Sequence, residues 1–224
     1  MIKEVYSRSL KVLAKKPIRL WGISLLGCFL SLVASALCGF AVPILGIAVT
    51  LLLGVSLDMV YLHGLRGDEV YAVQLFDCFK DWQTIKRVLA GMGWMILWIF
   101  LWALIPIVGI IFAIIKAYSY RLVPYILVHE PDVAPTEAIK VSTARTQGNK
   151  GKMFWSEVLP YLAIFAVSLV LGLFGKIPYV GVLFTIIQVL FTIVVAILMP
   201  LFLGLVKAAF YEKLSCKEEA APEA

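Results

Sequence analysis

Charged residues are spaced along this chain so that long apolar runs lie between them. Leu20 to Leu57 contains no charge, and Val88 to Val128 contains only Lys116 and Arg121. About 20 apolar residues suffice to cross a bilayer as a helix, so each run predicts two spans. The first pair turns near Gly39 to Pro43 and the second near Ile105 and Pro106. Met153 to Gly175 predicts a fifth span, with Glu157 near its start. Ile177 to Val206 predicts a sixth, kinked at Pro200. The expected fold is all-α: six spans (about 20–40, 43–62, 88–105, 106–128, 153–175 and 178–206) in three hairpins, within a membrane domain of residues 20–213.

The remaining segments have helical patterns of their own. Glu4, Arg8, Lys11 and Lys15 fall on one face of a helix, with Ile2, Val5, Tyr6, Ser9 and Val12 nearer the other. Residues 1–19 therefore predict a basic amphipathic helix lying on a membrane surface. The basic start, apolar run and Ala34-Ser35-Ala36 also imitate a cleavable signal peptide. The long basic region and the run's continuation favour a retained helix. Asp68 can cap a helix in which Val70, Val73, Phe76, Phe79 and Trp82 form an apolar stripe. Thr136 can cap another, running to about Gln147 and ended by Gly148, Asn149 and Gly151. Residues 214–224, with Lys217, Glu218, Glu219 and small side chains, predict a disordered tail.

Composition agrees with lipid as the solvent. Of 224 residues, 62% are hydrophobic and 15% charged, with a net charge of +6 and a mean hydropathy of +0.97. A soluble domain is about 45–50% apolar and about 25% charged. No basic stripe with interleaved aromatics suggests nucleic acid. The cations also orient the chain. With the N-terminus inside, the inner side gathers six cations of the N-terminal arm. It adds Arg66, Lys80, Lys86 and Arg87, then Lys140, Arg145, Lys150 and Lys152, and finally Lys207, Lys213 and Lys217. The outer side has Lys176 alone. This predicts both termini in the cytosol.

The four cysteines supply no framework. Cys28 and Cys38 are about 15 Å apart on one helix, too far for a disulfide. Cys78 and Cys216 fall in cytosolic segments. No Cys/His cluster suggests a metal, and no cofactor is expected. No nucleophile elbow, metalloprotease helix or complete phosphate loop occurs. Gly148-Asn149-Lys150-Gly151-Lys152 lacks the leading spacing of the last.

Several stretches together resemble a bacterial membrane-protein family, domain of unknown function 975. They are Leu65-Arg66-Gly67-Asp68-Glu69, Leu75-Phe76-Asp77-Cys78-Phe79, Ile105-Pro106 and Lys116-Ala117-Tyr118-Ser119-Tyr120. Others are Pro124-Tyr125-Ile126-Leu127, Glu137-Ala138-Ile139, Gly148-Asn149-Lys150 and Ala209-Phe210-Tyr211. The resemblance covers about residues 54 to 213 and implies a six-span protein of the bacterial cytoplasmic membrane. It implies no activity.

The candidate site residues are Asp58, Lys116 and Arg121. A charge at mid-bilayer costs about 2.5–3.5 kcal/mol on insertion scales. Lys116 therefore either snorkels to the inner headgroups or sits buried against an anion. Its preferred reading is the anchor, with Tyr118, Tyr120 and Tyr125 as interfacial aromatics around it. If it is buried, Asp58 is the expected partner of Lys116 or Arg121. His63 and His129 read as interfacial residues at span ends, and Gln188 as a tie between helices. Three functions stay open. One is a non-enzymatic protein handling an amphiphilic or anionic small molecule, lipid or peptide. The others are a scaffold recruiting a partner through its inner loops, and an intramembrane enzyme. The partners expected are membrane lipids; a protein partner or a second copy is left open.

Overall fold

A computed structural model describes residues 1–219 apart from 16, 42, 107 and 178, with residues 17, 37–41, 43 and 217–219 described for the backbone alone. The described residues are all-helical. The α-helices are α1 (Ile2–Lys15), α2 (Pro17–Ala41), α3 (Pro43–Arg66), α4 (Trp82–Ala103), α5 (Gly109–Ser119), α6 (Val123–His129), α7 (Ala138–Thr146), α8 (Lys150–Phe174) and α9 (Gly181–Glu219). Six helical segments are long and apolar enough to cross a membrane, with α5 and α6 together forming the fourth.

Consecutive helices pack most extensively: α2 on α3, α4 on α5 and α8 on α9. Contact between these pairs concentrates at one end, here called the base. There α1 lies against the last turns of α9, and α7 lies against α5 and α6. The buried apolar side chains cluster there: residues 52–65 of α3, 122–127 around α6 and 201–214 of α9. Among the described residues from 154 to 200 no hydrophobic side chain is buried. Toward the far end, the helices present Leu, Ile, Val, Phe and Trp outward on every side. Such a surface is stable only in an apolar solvent.

Close approaches at the base depend on missing side chains. A Cβ on Gly204 of α9 would lie 2.2 Å from the Tyr61 ring of α3, and one on Gly91 of α4 would lie 2.5 Å from Leu127 of α6. The Tyr61 hydroxyl meets Ser24 of α2 at 2.7 Å, so three helices share one contact.

Helix α1 is amphipathic as its pattern predicts, but its apolar side docks on protein. Val5 is buried, Tyr6 packs on Phe202, and the Tyr6 hydroxyl donates to the Ser156 carbonyl at 2.5 Å. Its polar side is latched to α9. Arg8 and Arg66 converge on Glu212 at 2.5 and 3.1 Å, and Lys213 pairs with Glu4. The Lys213 hydrogen bond, joined by the terminal ammonium, holds the Glu4 carboxyl down to about 2. The latch is therefore intact at neutral pH and loosens only as pH falls toward that value.

Three loop and tail expectations change. Residues 72–79 form a 3-10 helix with period 3. Leu75 and Cys78 point inward, while Val73 and Phe76 stay exposed. The helix cap is Asp81, which accepts from the Thr84 N–H at 3.0 Å and starts α4. Asp68 instead meets the His63 ring at 3.1 Å. Before α7, Glu137 supplies no side-chain cap, so Thr136 does not begin that helix. Gly148 turns the chain at φ +74°, as expected of a helix end. Helix α9 continues to Glu219 through most of the predicted tail, because Lys207 to Leu214 still has an apolar face to bury. Residues 220–224 lie outside the described residues.

Candidate functional site

The fourth span is broken at the site. Pro124 stands in the first turn of α6, where it removes an N–H and favours a new helix start. The break leaves the Ser119 carbonyl without a helical donor, and such a group at membrane depth must find a partner inside the protein. Helix α7 supplies it. Ser142 Oγ and Thr146 Oγ1 donate to Ser119 O at 2.7 and 3.2 Å. Ser142 Oγ also accepts from the Leu122 N–H at 3.2 Å. Both α7 side chains are fully buried. Arg87 of α4 closes the other end of α6. It donates to the carbonyls of Leu127 (2.8 Å), Glu130 (2.5 Å), Pro131 (2.9 Å) and Val133 (2.5 Å). Arg145 clasps Glu130 through both carboxylate oxygens at 2.5 and 3.0 Å.

Two ion pairs lie beside this break. Asp58 of α3 pairs with Lys207 of α9, each side chain 14% exposed. Arg121, in the break, pairs with Glu157 of α8, which also accepts from Tyr118 at 3.0 Å. The expected Asp58 contact with Lys116 or Arg121 is therefore replaced. In sequence Lys207 reads as an inner-side cation because it follows the apolar run that ends at Val206. The run continues after it as Ala208-Ala209-Phe210, which places Lys207 inside α9 and facing α3. Its ammonium also lies 5.6 Å from the centre of the Tyr125 ring.

The three tyrosines separate. Tyr125 is fully buried and stacked on Tyr211 at 4.5 Å, so it is a core residue and not an interfacial anchor. Tyr120 is also buried. Tyr118 is half-buried and packs edge-on against Phe154. His129 contacts the Tyr125 carbonyl at 3.2 Å. Among the described residues no group of acidic, Cys and His side chains could hold a metal.

Lys116 belongs to a different feature. Trp94, Trp98 and Trp102 recur every fourth residue on α4, a ladder about 12 Å long by helical rise. With Lys116 and Tyr120 of α5, and Thr136, Glu137, Ile139 and Lys140 before and on α7, they line a groove of about 440 Å³ open along its side. A side chain on a helix leans toward that helix's N-terminus. The Lys116 stem accordingly leads away from the base, and its ammonium lies 4.9 Å from the centre of the Trp102 ring. This is opposite to the direction expected of an anchor to headgroups at the base. Among the described residues no carboxylate pairs with it, whereas Lys140 has Glu137 at 3.6 Å. A cation on an indole face gains about 0.5–2 kcal/mol, and Lys116 is part of the groove's lining.

Fold and site together define a multi-pass helical membrane protein with a tryptophan-lined lateral groove. Comparison with protein-family models, with curated proteins and with solved structures finds no match to this chain.

Proposed function

We propose that this is a non-enzymatic protein of the bacterial cytoplasmic membrane that holds an anionic amphiphile in the groove of Trp94, Trp98, Trp102 and Lys116. The observation that carries the reading is Lys116 itself, an ammonium without an acidic partner among the described residues, lining an aromatic groove that is open along its side. Indole rings take up apolar chains and offer an N–H to polar groups, and the ammonium selects the charge. Native mass spectrometry after extraction in mild detergent tests this. Wild type is expected to carry a bound anionic amphiphile that Lys116→Met and Trp98→Ala lose. A bare wild-type protein overturns the reading.

The membrane arrangement proposed with it is three hairpins with both termini and the base in the cytosol, supported by the cation asymmetry. Reporter fusions after Glu130 and Gly175 are expected to read inside and outside respectively. An outside signal at Glu130 reverses the arrangement. Membership of the domain of unknown function 975 is part of the same proposal and rests on the stretches quoted above. The scaffold reading has one observation in its favour: Tyr71, Val73, Phe76 and Trp82 are exposed at the base. With Lys80 and Lys86 close by, this surface suits an anionic leaflet as well as a protein partner.

A further inference from the structure

We infer that Ser142, which is fully buried and is not among the groove's lining residues, is a positioning residue for the amphiphile: its hydroxyl joins the two walls between which the anionic group is held. This rests on the binding reading and adds to it the residue that sets the site's charge selectivity. One wall belongs to the fourth span, with Lys116 and Tyr120. The facing wall is Thr136, Glu137, Ile139 and Lys140, before and on α7. Ser142 stands on the second wall's helix and bonds to the backbone of the first.

The joint is specific in its atoms. Ser142 Oγ donates to Ser119 O and accepts from the Leu122 N–H, so its two bonds flank Tyr120. The Tyr120 N–H in turn donates to the Lys116 carbonyl at 2.9 Å, which ties the joint to the turn that carries the ammonium. On the α7 side, Ile139 and Lys140 lie within one helical turn of Ser142. Helix α7 has few other holds. It is 9 residues long, and its buried side chains are Ala138, Ile139, Ser142 and Thr146. Thr146 also donates to Ser119 O, at 3.2 Å, on one side of Tyr120. Without the Ser142 hydroxyl, the Leu122 N–H loses its acceptor. A buried backbone group left unpaired is costly at membrane depth, so the chain on either side of Tyr120 shifts to find another. That shift moves Lys116 relative to α7. A binding site needs its contacting groups held to within about 0.5 Å by supporting bonds of this kind.

The test titrates the full chain in mild detergent with dodecyl phosphate and with dodecylphosphocholine, and reads the bound fraction by native mass spectrometry. The two probes share a chain and differ in net charge. Wild type is expected to prefer dodecyl phosphate. Ser142→Ala is expected to lose about tenfold of that preference while holding dodecylphosphocholine as wild type does. Lys116→Met, which removes the ammonium itself, should show the same loss. Ser142→Thr, which keeps the hydroxyl, should retain the preference. Thr143→Ala should match wild type, because the Thr143 hydroxyl bonds within α7 to the Ile139 carbonyl. If Ser142→Ala does not fold, Ser142→Cys, whose thiol is a weak donor and acceptor, replaces it with the same expected loss. A preference equal to wild type in that variant overturns the inference and leaves the binding reading standing. Equal weakening of both probes also overturns it, since the hydroxyl would then be a structural bond alone. A wild type that shows no preference overturns the binding reading as well.

Discussion

Lys207→Met is expected to lower the melting temperature in detergent by roughly ten degrees, and Asp58→Asn introduced with it to restore most of the loss. Removing one member of a buried ion pair leaves the other charged and unsolvated, which costs about 3–5 kcal/mol. For a chain of this size each kcal/mol shifts the midpoint by about 2–4 °C. Asp58 and Lys207 are each 14% exposed, so little water reaches the survivor. The double variant removes both charges together and leaves side chains of similar volume. Its recovery is the diagnostic result, because loss of packing alone would make it worse than either single change. A single variant that melts with wild type, or a double variant no better than Lys207→Met, refutes the pairing. Lys116→Met serves as the contrast. It leaves Asp58 paired and removes an ammonium from an apolar groove, so its melting temperature should match wild type or rise slightly.

The second large effect is expected at Arg87. Its guanidinium donates to four backbone carbonyls at the end of α6 and in the turn that follows. Arg87→Met leaves those acceptors without their donor. An unsatisfied buried acceptor costs about 1–3 kcal/mol. Since the Pro131 bond is exposed and the Leu127, Glu130 and Val133 bonds are part-buried, the total should be about 2–4 kcal/mol. Arg87→Lys should recover only a fraction, because one ammonium cannot span acceptors that a planar fork reaches together. The turn should also open, so limited proteolysis between Glu130 and Thr136 should quicken. A lysine variant indistinguishable from wild type in both measurements would show that the fork geometry has no role.

The spans were legible because their signal is one-dimensional. A charge-free run from Leu20 to Leu57 has few other uses. The two faces of α1 and the turn at Gly148 were legible for the same reason, since each is set by residues a few positions apart. What sequence missed was pairing across distance. Asp58 and Lys207 lie 149 positions apart, and nothing local to either names the other. The position of Lys207 within an apolar surrounding was the available signal. Tyr125 followed Tyr118 and Tyr120 in sequence and was grouped with them, but the break at Pro124 turns it into the core. The segment before α4 departs from its reading because Val70, Val73, Phe76 and Phe79, which recur every third residue, drift round an α-helix and are not the set that is buried together. The chain adopts period 3 there, which buries Leu75 and Cys78. Asp81, a better-placed cap than Asp68, then starts the long helix.

Packing confined to the base has a mechanical consequence. Among the described residues the far halves of the helix pairs share no buried apolar seam, so their tilts are not locked to one another. Each pair can lean by a different amount about the common base as the surrounding bilayer thickens or thins. Leaning absorbs hydrophobic mismatch at a fraction of a kcal/mol per Å, less than it would cost to shear a bundle packed along its whole length. The protein should therefore keep its basal ion pairs, and its melting temperature, across lipids whose chains differ by several carbons.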